Sequence, residues 1–307
     1  MNIQTGGKVS GVYGIKVLRN AGTDKEHLED FGESPNMLLD GFFERFASGD
    51  LSDINWSMFA GTGTLPVEAT QTQLISQVGS YDSLTVSANA NVKVGNDYIA
   101  SSTGVAEWAI GAITGNISEV GVRLGTRIGS TVDSRALITD SQGSPTTITV
   151  TSEDKLIVSY TLKYIIPIEQ HVSAVDFAGT QTTCTLERLA ALDNNKNGLR
   201  TAFVINFPGQ LKASASQELI NDPESTASSG AGQIANITTS IPVPLVKRLS
   251  YLLQTDYGNI SGGIKYVFIP AYSNSNFPFI GLHFDPPIPK DATKTLTLNF
   301  DFTLTRA

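Results

Sequence analysis

The sharpest chemical signature in the sequence is Asp193-Asn194-Asn195-Lys196-Asn197-Gly198, which fits the first six positions of a calcium loop. Position twelve of such a loop must be a bidentate glutamate, and here it is Val204. One carboxylate with two Asn and a Lys makes a poor divalent site, so an Asn-Gly turn between strands is the favoured reading. The neighbouring carboxylates Glu29-Asp30, and Asp222 with Glu224, have the residue types for glycoside hydrolysis. Their separation in space is not set by sequence, and solvated loop charges are the ordinary explanation. The three histidines, His27, His171 and His283, each stand alone with no nucleophile in phase. Cys184, the single cysteine, lies in an alternating Thr-Thr-Cys-Thr-Leu run, where a thiol is usually a small buried apolar group. Trp56 and Trp108 each flank an apolar stretch and read as core anchors rather than sugar platforms.

Phosphate and acyl chemistry fare no better. Gly61-Thr62-Gly63 lacks the third glycine of a dinucleotide fingerprint and sits in no strand–turn–helix frame. There is no Gly-x-Ser-x-Gly elbow, no Walker lysine motif and no His-Glu-x-x-His. The expectation is a non-enzyme with no catalytic, cofactor-binding or metal-ligating residues.

The elements that would carry any site are almost all strands. One helix is expected near 35–47, with Ser34 as N-cap and Pro35 at its first position. Leu38, Leu39, Phe42, Phe43 and Phe46 recur at helical spacing, and Gly49 closes the run. Elsewhere apolar residues alternate. Leu156, Val158, Tyr160, Leu162 and Tyr164 share one strand face; Leu296, Leu298, Phe300, Phe302 and Leu304 share another. Further strands are expected at Tyr81–Val86, Gly104–Ile110, Ser118–Leu124, Ala136–Thr139, Thr146–Val150, Thr182–Leu189, Ala202–Phe207 and Lys265–Ile269. Short strands punctuated by Gly, Pro, Asn and Asp predict an all-β chain of two antiparallel sandwiches with one short N-terminal helix. Superposing Leu156 on Leu296 aligns the two long strands residue for residue, which suggests domains at 1–168 and 169–307. Asn221–Gln233 is expected to be a loop of the second domain.

Composition narrows the function. Of 307 residues, 40% are hydrophobic, enough for a real core, while only 16% are charged. Lys and Arg total 21 against 29 Asp and Glu, a net charge of -8, so a phosphate-binding footprint is missing and nucleic acid is not an expected partner. No apolar run approaches the roughly 18 residues of a membrane helix, so no membrane insertion is expected. Met1–Lys8 has neither a charged nor an apolar leader region, which suggests synthesis in the cytoplasm.

One resemblance emerges. Asn55-Trp56-Ser57-Met58-Phe59-Ala60-Gly61-Thr62-Gly63-Thr64-Leu65-Pro66, followed by Thr70-Gln71-Thr72-Gln73-Leu74, resembles a pattern in structural proteins of tailed bacteriophages. A strand at Ile117–Val122 (ISEVGV) then leads to Ser134–Pro167 (SRALITDSQGSPTTITVTSEDKLIVSYTLKYIIP), similar to the β-sandwich module of tail-fibre, collar and baseplate-attached proteins. The likeness covers most of residues 30 to 168. Beyond it, only the last strands and the turn at Pro287–Lys290 correspond. The resemblance implies a structural component of a tailed phage particle, in the tail, collar or fibre apparatus. It implies a virion location, homo-oligomeric assembly and other phage structural proteins as partners. The alternative is a carbohydrate- or receptor-binding fibre module on a host surface glycan, for which Tyr272, Phe277 and Phe279 are the aromatic candidates.

Overall fold

The computed structural model describes residues 2–48, 56–84, 86–88, 92–125, 131–167, 170–177, 179–188, 211–214, 233–234, 236–255, 259–270 and 278–307. The chain is all-β with one short helix. It opens with β1 (Asn2–Arg19), β2 (His27–Pro35), β3 (Met37–Leu38) and the helix α1 (Asp40–Ser48). Then come β4 (Trp56–Gly61), β5 (Gln77–Leu84), β6 (Val86–Ala88), β7 (Val92–Val94) and β8 (Asp97–Glu107). Next are β9 (Gly115–Ile117), β10 (Glu119–Arg123), β11 (Ser134–Leu137), β12 (Ile148–Val150) and β13 (Lys155–Pro167). The second half holds β14 (Gln170–Phe177), β15 (Thr180–Arg188), β16 (Leu211–Ser214), β17 (Gln233–Ile234) and β18 (Asn236–Ser240). It ends with β19 (Val246–Leu253), β20 (Ile264–Pro270), β21 (Pro278–Ile288) and β22 (Leu296–Arg306).

These strands form a nine-stranded sheet ordered β18-β19-β22-β1-β13-β8-β6, with β2 on β1 and β7 on β8. A five-stranded sheet runs β3-β11-β10-β4-β5, a six-stranded one β14-β15-β21-β20-β16-β17, and β12 pairs with β9 alone. The chain divides into two compact units. One holds Met1–Lys8, Ala90–Ala100 and Ile165–Thr305; the other holds Val9–Asn89, Ser101–Tyr164 and Arg306–Ala307. The strands β1, β8, β13 and β22 contribute residues to both units.

In the unit of Val9–Asn89 and Ser101–Tyr164, here called the N-terminal unit (the other being the C-terminal unit), the nine- and five-stranded sheets meet through aromatic side chains. Tyr13 and Tyr160 stack with ring centres 4.6 Å apart, and Trp56 meets Tyr160 edge-on at 5.8 Å. The Tyr13 hydroxyl reaches the Ser134 carbonyl at 3.2 Å. Each buried side chain of this size contributes roughly 1.5–3 kcal/mol, so this contact anchors the unit. The 18-residue β1 escapes a simple reading because glycines interrupt its alternation. Gly11 is there for room: a Cβ at that position would lie 2.3 Å from the Tyr160 hydroxyl oxygen.

In the C-terminal unit, β19 and β22 alternate cleanly and pair Leu249 with Phe300, Tyr251 with Leu298 and Leu253 with Leu296. Tyr251 and Phe300 meet edge-on at 5.7 Å. All five apolar residues of β22 expected to face inward are buried. The strand is held by β19 on one side and β1 on the other.

The helix corrects its predicted start. Pro35, Met37 and Leu38 belong to strands and Asn36 links them, because these residues have better partners there than in a helix. Asn36 accepts from the Gly11 amide at 3.0 Å and donates to the Tyr160 hydroxyl at 3.0 Å. Met37 and Leu38 pair with Arg135 and Ser134. Ser34 caps nothing; its hydroxyl accepts from the Thr139 amide at 3.0 Å. The helix begins at Asp40, whose acidic side chain suits the positive end of the peptide dipoles. It buries Phe42, Phe43, Phe46 and Ala47. Gly49 and the strand expected at Ala202–Phe207 lie outside the described residues. Most other strand expectations hold within a few residues, except that Tyr81–Val86 spans the end of β5 and the start of β6, and Gly104–Ile110 overlaps only the end of β8, which starts at Asp97 and stops at Glu107.

Candidate functional site

Several sequence candidates lie outside the described residues: Asp193–Gly198 with Val204, Asp222, Glu224, most of Asn221–Gln233, Tyr272 and Phe277. Phe279 falls on β21. The others can be placed. Glu29 and Asp30 are consecutive on β2 and so point to opposite faces. Glu29 pairs with Arg19 at 2.7 Å, and Asp30 with Lys16 at 2.9 Å. The Lys16 ammonium and the Gly32 amide hold the Asp30 carboxyl below its ordinary range. These two carboxylates do not converge on a common point. His27 sits on β2, His171 on β14 and His283 on β21. Burial pushes the Cys184 thiol up to about 12, which makes it a poor nucleophile. Trp108 is buried and donates from its indole to the Ser80 carbonyl at 3.0 Å, as a core anchor does. Among the described residues, no three His, Cys, Asp or Glu side chains come together to hold a metal ion.

What the structure does bring together is the stretch quoted for the resemblance. Glu119 of β10 and Arg135 of β11 are each 0% exposed and join at 2.7 Å. On one side of this pair, Arg135 donates to the Leu65 carbonyl at 2.9 Å, the Pro66 carbonyl at 3.2 Å and the Gln71 side chain at 2.8 Å. On the other, Glu119 accepts from the amides of Gly63 at 3.0 Å, Ile75 at 3.1 Å and Ser76 at 2.8 Å. Six hydrogen bonds thus thread the 62–76 loop onto two strands, and a seventh joins Arg135 to Glu119 between them. Glycine is required at 63, because a Cβ there would sit 2.4 Å from a Glu119 oxygen. Beneath the loop, Leu74 packs with Leu39, Phe59 and Val132.

Two further carboxylates do similar work in the same unit. Asp133 accepts from the Leu124 amide at 2.7 Å and from Arg45 of the helix. Burial pushes the Asp133 carboxyl up, against the pull of Arg45 and that amide. Asp154 closes the turn before β13. Burial alone would raise its pKa, but bonds from Thr151, Arg19 and the Asn20 amide outweigh it and hold the carboxyl at about 2.

All three carboxylates therefore face backbone amides and guanidinium groups, where they are spent on holding loops. Neither Glu119 nor Arg135 was singled out from sequence. The available signal was a lone acid in the apolar run Ile117–Val122 and a lone base in Ser134–Leu137, an opposite pair on neighbouring strands. On the bound loop, Leu65 remains 58% exposed and Ile75 is exposed too, as is Val78 just beyond it on β5. No protein-family profile, curated protein or solved structure matches the chain.

Proposed function

We propose that this chain is a non-enzymatic structural component of a tailed phage particle, built as two β-sandwiches and acting through assembly with copies of itself and with other virion proteins. The observation that carries the reading is the Glu119–Arg135 pair. It ties together the very segments that resemble phage structural proteins, and it commits their charges to internal bonds. A loop fixed by six hydrogen bonds and presenting Leu65 and Ile75 outward, followed by the exposed Val78 of β5, has the character of a rigid contact surface. Thr-rich strand faces and one inert thiol suit a particle that works outside the cell, without redox chemistry.

The test is immunogold labelling of tailed particles assembled in cells that make an epitope-tagged chain, with mass spectrometry of the same particles. Labelling confined to the tail, collar or fibres, at a fixed ratio to the other virion proteins, is the expected result. Particles of normal morphology that lack the chain would overturn the proposal.

A further inference from the structure

Three departures from ordinary protein chemistry fall within seven residues at the β18–β19 turn. First, Ile241, Val243 and Leu245 are 51%, 55% and 42% exposed, in the sequence Ile241-Pro242-Val243-Pro244-Leu245. Second, the Val246 amide donates to the Val243 carbonyl at 3.2 Å, closing a turn in which Leu245 has a φ of 65°. That position normally falls to glycine, and a branched side chain there is strained. Third, Lys247 is only 1% exposed. Burial pushes its ammonium below the ordinary lysine range, and no described carboxylate offsets that shift. The segment is inside out: apolar side chains face water while a cation is buried.

We propose that this turn and the outer edge of β18 form a docking strip for an extended apolar segment of a neighbouring protein subunit, one that brings a carboxylate to Lys247. The inference deepens the assembly reading above and rests on it for the occupant being a protein chain. Charge complementarity selects the carboxylate. From Gln233 to Thr255 the sequence contains no Asp or Glu. The neighbouring Arg248 is already satisfied by Asp301, at 2.6 and 2.7 Å. Lys247 therefore lacks a counter-charge that its own hairpin can supply.

Topology selects the extended form. The nine-stranded sheet ends at β18, and among the described residues no strand pairs with its outer edge. Strands lie about 4.8 Å apart, so an added strand would run about 10 Å from β19, a gap that a lysine and a glutamate side chain bridge together. The β18–β19 pairing ends with Ser240 opposite Arg248, so Ile241 and Lys247 each lie one residue beyond it towards the turn, and Lys247 sits opposite Phe302 of β22. An incoming strand on that edge would pass the apolar turn first, with Lys247 one strand further in. The two prolines and the strained Leu245 keep the apolar tip in one conformation, which lowers the ordering cost of binding.

The test uses the full chain and two probe peptides, capped at both ends, that alternate valine and threonine around a central glutamate or glutamine. Binding is read by fluorescence anisotropy and folding by thermal melts. The glutamate peptide should bind about tenfold more tightly than the glutamine one, a discrimination of about 1.4 kcal/mol. Lys247→Met should erase that difference without lowering the melting temperature. Val243→Asp should weaken both peptides. Leu245→Gly, which relieves the strained φ, should fold at least as well and bind less tightly. Equal affinities in the unmodified protein, no saturable binding, or binding to neutral phosphatidylcholine vesicles in place of the peptides would overturn the proposal. If discrimination holds but the chain is missing from particles, the strip stands and the virion location falls.

Discussion

Two charged groups buried in this chain have met opposite fates. Arg135, in the N-terminal unit, is fully buried with a carboxylate, two carbonyls and an amide side chain around it. Lys247, in the C-terminal unit, is almost as deeply buried with no described acid beside it. The first arrangement is self-sufficient. Its ion pair offsets desolvation because Arg135 donates three further hydrogen bonds and Glu119 accepts three from backbone amides. The second is incomplete on its own, and it lies beside apolar residues that face water. The contrast separates charges that build the fold from a charge the fold tolerates.

Breaking the complete arrangement should have the largest effect. Arg135→Met leaves Glu119 buried without its counter-ion, and such a loss costs about 3–5 kcal/mol. Equilibrium urea unfolding measures it, and proteolysis within residues 62–76 should appear at the same time. The double variant Glu119→Met/Arg135→Met should recover part of the loss, since no lone charge remains. A single Arg135→Met that unfolds like the parent would show that the loop is held by packing on Leu74 alone.

A purely apolar counterpart lies in β22. Phe300 is fully buried against Tyr251 and paired with Leu249. Phe300→Ala should cost about 3–5 kcal/mol, by lost burial and the cavity left behind. On the wet face of the same strand, Asn299→Asp should change stability by less than about 0.5 kcal/mol. If deleting residues 295–307 gave a well-folded product instead, β22 would be a strand the chain does not need for itself.

These sites differ in how far the sequence announces them. The apolar faces of β13 and β22 were readable because a period of two survives along their whole length. The helix was readable as a helix but not at its start, since Asn36, Met37 and Leu38 take up distant sheet partners that local pattern does not encode. The β1 strand was obscured by Gly6, Gly7, Gly11 and Gly14, and Gly11 earns its place only through a Tyr160 that lies 149 residues away. The calcium-like motif drew attention because it is contiguous. The Glu119–Arg135 pair went unnoticed because its partners arrive from three separate segments. Contiguity is what a sequence displays, whereas partners gathered from distant segments appear only in the fold.

Acid should expose a third, intermediate case. Asp154 has a folded pKa of about 2, below its ordinary 3.8, so it stabilises the fold above that ordinary value. The contribution fades as pH falls from about 4 towards 2. Asp154→Asn should lower the melting temperature at pH 7 and flatten the acid limb of the stability profile. Parallel acid limbs for parent and variant would assign the acid sensitivity elsewhere.

The smallest effect, and the one of opposite sign, belongs to Lys247. Its folded pKa is depressed below 10.5, so the charged form disfavours the fold at neutral pH. Raising the pH through the folded value towards 10.5 removes that penalty, because the amine is then neutral in both states. Lys247→Met keeps the length and apolar stem while deleting the charge, and should stabilise the chain by about 1 kcal/mol at pH 7. The gain should shrink in urea titrations repeated at higher pH. A destabilised Lys247→Met at every pH would mean that the ammonium has a partner within its own chain, and the contrast with Arg135 would close. A stabilised one would leave a residue that costs the isolated fold free energy, which is the behaviour of a group selected for what it meets on assembly.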